Sequence, residues 1–179
     1  YYPGLALDFL GIQIDTDQIV PPERFLTLYH DNHLATRLDL GFHFREKELC
    51  QLQDALESSR VVILSGRAGV GKSRLALEVC YNFKDLHPEF EVMCIFGRNR
   101  DLWEDLKTKF SRPGNFLIFV DDANRVSQFD YIVDLILHQK ENQQIKVLAT
   151  VRDYALSKIQ ELSQPLDNVT ELEIKSFNH

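Results

Sequence analysis

From about residue 46 onward, apolar positions alternate between a helical and a strand-like pattern. Leu49, Leu52 and Leu56 recur at i, i+3 and i+7, which marks one face of a helix. Val61-Val62-Ile63-Leu64 is a short β-branched run closed by Ser65-Gly66, and it reads as a strand buried on both faces. The segment Ser73 to Phe83 is then predicted helical, with Leu75, Val79 and Phe83 on one face. Phe90 to Phe96 predicts a second strand, and Asp101 to Phe110 a helix whose Leu102, Leu106 and Phe110 are spaced by four. Phe116 to Val120 is a wholly apolar third strand, followed by an amphipathic helix carrying Phe129, Ile132, Val133, Ile136 and Leu137. Lys146 to Thr150, Tyr154 to Leu162 and Val169 to Ile174 predict strand, helix and strand again. Strands separated by helical stretches imply βαβ units, so the expected class is α/β: three αβα layers on a mostly parallel five-stranded sheet.

The pattern is weaker before residue 41. That stretch holds Pro3, Pro21, Pro22 and several aromatic residues without a sustained period. Leu5 to Ile14 has room for one short strand, and Glu23 to Leu40 for a helix or two. Residues 1–40 are therefore expected to be an N-terminal extension or the tail of a preceding domain, and 41–179 the core. The chain begins at Tyr1 and stops at His179 directly after a strand-like run, so both ends are expected to be cut from a longer protein.

Composition excludes several classes. With 44% apolar and 26% charged residues among 179, the chain has enough apolar surface to fold. No apolar run approaches the roughly 18 residues that span a bilayer, and no signal or lipidation motif is visible. The net charge of -7 argues against a broad grip on nucleic acid. Cys50, Cys80 and Cys94 are an odd set without short spacing and are expected to be reduced, packed thiols in the cytoplasm.

The chemistry concentrates between the first core strand and its helix. Gly66, Arg67, Ala68, Gly69, Val70, Gly71, Lys72 and Ser73 fit G-x-x-x-x-G-K-[ST], with Arg74 next in the helix. Glycines let successive N–H groups turn inward to form a nest for phosphate oxygens, and the helix adds its positive dipole end. Lys72 would reach the β- and γ-phosphates, and the Ser73 hydroxyl would ligate Mg²⁺. A partner acid is expected at the end of an apolar strand, and Phe116-Leu117-Ile118-Phe119-Val120-Asp121-Asp122 supplies it. Asp121 is the expected Mg²⁺ acid and Asp122 the group that orients or deprotonates the attacking water. Arg152, ending Ala149-Thr150-Val151-Arg152-Asp153, lies at the strand edge where α/β sheets bind ligands. From the residues alone, γ-phosphate sensing and a surface ion pair with Asp153 weigh equally for it.

The order Phe42-His43-Phe44-Arg45-Glu46, GRAGVGKS, FLIFVDDAN and LATVRD resembles STAND-class NTPases, signal-transducing ATPases related to AAA+ proteins, and within them the "novel STAND" modules. The resemblance covers about residues 41–176. It implies a strand order in which the Thr150–Arg152 strand lies between the loop strand and the Asp121 strand, and a sensor role for Arg152. It places Arg45 and Phe42 near adenine, although Phe44 stands where the family has glycine. It also implies that the chain stops before a helical lid and a winged-helix domain. The implied function is an ATP/ADP and Mg²⁺ switch that hydrolyses slowly, forms a conditional homo-oligomer, and serves a signalling or antiviral defence protein. Its trigger ligand and effector lie outside this sequence, and nucleic acid is not indicated as a partner. An AAA+-like motor or loader and a non-hydrolysing scaffold are the rival readings.

Smaller signals weigh less. His30-Asp31-Asn32-His33 lacks a third or fourth metal ligand at suitable spacing and reads as a solvated loop or helix end. Trp103 is expected to serve packing rather than stacking on a base. Arg98 and Arg100 are candidates for an arginine finger acting in trans.

Overall fold

A computed structural model describes residues 18–31, 45–95, 102–126 and 129–175. In chain order these form β1 (Ile19–Val20), α1 (Pro22–Asp31), α2 (Glu46–Ser58), β2 (Val61–Gly66), α3 (Lys72–Leu86), β3 (Phe90–Ile95) and α4 (Trp103–Phe110). They continue with β4 (Gly114–Val120), α5 (Phe129–Leu137), β5 (Gln143–Arg152), α6 (Leu156–Ser163) and β6 (Val169–Ile174). Single 3₁₀ turns follow β4 and β5 at Ala123–Arg125 and Asp153–Ala155. The expected Leu5–Ile14 strand and the sequence around Phe42, Phe44, Arg98 and Arg100 lie outside the described residues.

The six strands run in the order β1-β3-β4-β5-β2-β6. Five are mutually parallel, and β1 pairs antiparallel with β3 through Ile19↔Ile95 and Val20↔Cys94. The expected sheet of five strands is thus corrected to six. The added strand comes from the leader and has only two residues, too few to show a period of two in sequence.

Alternation along the buried strands builds two cores. Val61 and Ile63 of β2, with Phe116, Ile118 and Val120 of β4, face one way and meet α4, α5 and α6. Val62, Leu64, Leu117 and Phe119 face the other way and meet α1, α2 and α3. Near-continuous apolar runs are what a parallel sheet covered on both faces requires. Trp103 packs at a tilt on Tyr131, with ring centroids 5.2 Å apart, and carries the Lys107 ammonium over its ring, so it serves packing as expected. Cys80 and Cys94 are buried free thiols, and burial pushes both pKa values up. Cys50 is exposed, which corrects the expectation that all three are packed. Among the described residues, no helix is long and apolar enough to cross a membrane.

One polar residue inside β5 has a structural task. Lys146 is 8% exposed, and its ammonium donates to the carbonyls of Leu56, Glu57 (3.2 Å) and Ser59 (2.9 Å). These carbonyls close the C-terminal end of α2, where orphan acceptors and the negative dipole end both favour a cation. Lys146→Met should cost about 1–3 kcal/mol, because the buried carbonyls lose their donor. Urea unfolding should show the loss as a lower midpoint at unchanged m-value.

Candidate functional site

Placing β5 between β2 and β4 brings three strand ends to one edge of the sheet. The registers Gly66↔Arg152 and Val120↔Ala149 set the phosphate loop, the Asp121-Asp122 pair and the Thr150–Arg152 segment side by side. That edge is the carboxyl end of the strands, where open α/β sheets bind ligands.

The loop is shaped by its glycines. A Cβ on Gly66 would lie 2.5 Å from the Ile174 carbonyl oxygen of β6, so only glycine lets the loop leave the sheet there. Gly71 holds φ 93 and ψ 18 as the N-cap of α3, a left-handed conformation that glycine adopts at no steric cost. The α3 N-terminus has no side-chain cap and no acid in its first turn. Its amides and dipole therefore remain available to an anion. Arg67, Ala68 and Gly69 are exposed, Val70 is half-buried, and Arg74 pairs with Glu78 of its own helix at 2.7 Å.

Lys72 is 8% exposed, and its ammonium donates to the Gly66 and Arg67 carbonyls, both at 2.8 Å. Burial pulls its pKa below the ordinary lysine range, opposed by the nearby Asp122 charge. The ammonium is thus folded back over the loop that would hold phosphate.

At the end of β4, Asp121 Oδ1 accepts the Ser73 hydroxyl and the Thr150 hydroxyl, each at 2.7 Å. Thr150 Oγ1 in turn accepts the Asp122 amide at 2.8 Å. This cluster of hydroxyl and carboxylate oxygens is the hard donor set that Mg²⁺ takes, so Ser73 and Asp121 fit the cation assigned to them. Thr150 joins the site although no motif marks it as a ligand-binding residue. Its one signal in sequence is a hydroxyl placed two residues before Arg152 on a strand end.

Asp122 has φ 51 and ψ 53, a left-handed conformation costing about 1 kcal/mol in a residue with a Cβ. Its carboxylate is held at both oxygens by Arg152, Nε to Oδ1 at 3.1 Å and Nη2 to Oδ2 at 3.0 Å. Arg125 Nε adds a contact to Oδ2 at 3.0 Å. Arg152 therefore pairs with Asp122 rather than with the neighbouring Asp153. Arg45 sits at the start of α2, 5% exposed, and its guanidinium bonds Glu48 (3.0 Å) and the Lys175 carbonyl (3.1 Å). Ile174, the residue before Lys175, is in register with Gly66, so Arg45 lies near the base of the loop.

Tyr29, which no sequence motif marks, stands beside this cluster. Its ring lies 5.9 Å from that of Phe25. Burial pushes the phenol above its ordinary pKa, and the Asp121 charge adds to that. Among the described residues, no group of three or more His, Cys, Asp or Glu is placed to hold a metal. The side chains of the His30–His33 cluster lie outside the described residues.

Residues 43–178 match the profile of the family described as Novel STAND NTPase 3. Among solved structures, the chain is similar to Hsp104 in a closed state with ATPγS and FITC-casein (TM-score 0.55, 13% identity, 89% of this chain and 30% of that one). It is also similar to a substituted form of RuvB from Thermotoga maritima (TM-score 0.49, 19% identity, 73% of this chain and 46% of that one). The chain thus spans less than half the length of either structure. No curated protein sequence matches it. The likeness to Hsp104 supports the fold.

Desolvation pushes the Asp121 carboxyl above its ordinary range, against the two hydroxyl bonds that favour the ion. A folded-state pKa above the unfolded one contributes stability that is complete at low pH and lost as pH rises through the folded value. Ionising Asp121 is therefore a burden on the free protein. Asp121→Asn should raise the melting temperature of nucleotide-free protein at pH 7, and the gain should vanish as pH falls below the ordinary carboxylate range. Differential scanning calorimetry at several pH values checks both.

Proposed function

Because the chain belongs to the Novel STAND NTPase 3 family, we propose that it is the ATP·Mg²⁺-binding, slowly hydrolysing switch domain of a multidomain signalling or defence protein. The reading rests above all on the Asp122–Arg152 pair standing next to the Ser73–Asp121–Thr150 cluster at the mouth of the phosphate loop.

In this mechanism the loop amides and the α3 N-terminus receive the phosphates, and Lys72 turns from the Gly66 and Arg67 carbonyls to phosphate oxygens. Ser73 and Asp121 would hold Mg²⁺, which would supply charge to offset the negative charge that builds on the phosphates. Arg152 exchanges the Asp122 carboxylate for the γ-phosphate, a swap of one charge-assisted bond for another. That exchange frees Asp122 to accept a proton from the attacking water. ADP lacks the phosphate that Arg152 would follow, so the Asp122–Arg152 pair re-forms. Moving a switch from about 1:99 to 99:1 needs roughly 5.5 kcal/mol of differential binding. One arginine contact supplies only part of this, so contacts between copies and a trigger ligand supply the rest. The cytoplasm, with its reduced thiols and free ATP, is the compartment that suits such a domain.

Isothermal titration of Mg·ATP and Mg·ADP tests this. Lys72→Ala should abolish binding of both. Arg152→Ala should weaken ATP by about tenfold, the scale of one charged hydrogen bond, and leave ADP nearly unchanged. Asp122→Asn should retain binding while slowing hydrolysis about 10²–10⁴-fold. Rapid steady-state turnover by the wild-type chain would instead favour a remodelling motor.

A further inference from the structure

The turn that follows Asp122 carries a second hold on its carboxylate. Ala123–Arg125 is a single 3₁₀ turn, closed by the Arg125 amide donating to the Asp122 carbonyl at 2.7 Å. Three residues per 3₁₀ turn set side chains at i and i+3 above one another, so Arg125 lies back over Asp122. Its Nε meets Asp122 Oδ2 at 3.0 Å. The turn is anchored without help from either arginine side chain. Ala123 and Val126 are buried in the core that meets α4, α5 and α6. Asn124 Oδ1 accepts the Arg152 amide at 3.4 Å, and Asn124 Nδ2 donates to the Tyr154 hydroxyl at 3.3 Å.

The two arginines therefore differ in how they reach Asp122. Arg152 comes from β5 and spans both carboxylate oxygens, whereas Arg125 comes from the same turn as Asp122 and meets Oδ2. Departure of the Arg152 guanidinium to a γ-phosphate would release Oδ1 while Oδ2 keeps a charged donor. As a structural feature the Arg125 contact is minor, since Arg125 is 65% exposed and such i,i+3 surface pairs add little stability. A purely structural pair would leave turnover unchanged.

We propose that Arg125 is a positioning residue for Asp122. By retaining Oδ2 it keeps the carboxylate fixed on its left-handed backbone and presents Oδ1 to the attacking water. This rests on the hydrolytic switch reading above.

The test is single-turnover hydrolysis at saturating Mg·ATP, which separates the chemical step from substrate binding and product release. Wild type is compared with Arg125→Gln, Arg125→Lys, Asp122→Asn and the double variant Asp122→Asn/Arg125→Gln. Arg125→Gln should slow the step about 5- to 30-fold, less than Asp122→Asn, because the base is loosened rather than removed. Arg125→Lys, which keeps a cation beside Asp122, should recover most of the rate. The double variant should be no slower than Asp122→Asn alone, since Arg125 acts through that carboxylate. Melting temperatures of the Arg125 variants should stay within about 2 °C of wild type, as for other surface changes. A wild-type rate in Arg125→Gln overturns the role, as does a double variant slower than Asp122→Asn. If the wild type binds Mg·ATP without hydrolysing it, the hydrolytic reading fails and this proposal falls with it. If it binds no Mg·ATP, the nucleotide reading itself fails.

Discussion

One carboxylate oxygen joins the working parts of this molecule. Asp121 Oδ1 receives the hydroxyls of Ser73 and Thr150, and so links the first turn of α3, the end of β4 and the end of β5. The three groups are far apart in sequence, and only the insertion of β5 between β2 and β4 makes them neighbours. The parallel registers then set their relative height at the sheet edge. Without that crossover, the glycine loop would be an anion cradle with no acid facing it.

The same cluster shows where stability is given up for chemistry. Asp121 is desolvated, Lys72 is buried with a lowered pKa, and Asp122 adopts a left-handed backbone. Each departs from what a chain selected only for stability would adopt, and each is held by neighbours that over-determine it. Thr150 does so twice, since one hydroxyl donates to Asp121 while accepting the Asp122 amide. The two acids therefore cannot shift independently. Lys146 is a contrasting buried cation, because its task ends with closing α2.

Much of this was legible in sequence for a physical reason. Strands buried on both faces read as apolar runs, and a phosphate loop needs glycines and a lysine at fixed offsets, so β2 to β5 and the Gly66–Ser73 loop stand out locally. Asp121 stands out because an acid ends an otherwise apolar strand. What sequence does not carry is partner choice across the chain. Ile19–Val20 becomes a strand only because β3 offers an edge, and α1 is anchored over β4 by Phe25 packing on Phe119. The pairing of Arg152 with Asp122 rather than Asp153 is also non-local, set by strand register.

The short β1 bears on where this domain begins. The family match starts at residue 43, yet Val20 and Phe25 are fully buried against Cys94 and Phe119. A chain cut at the family boundary would uncover that apolar strip and leave β3 as an open edge, the kind of surface that pairs with other chains. Poor solubility of such a trimmed protein would then reflect a missing piece of its own core, and restoring the residues from Gln18 onward would be the remedy.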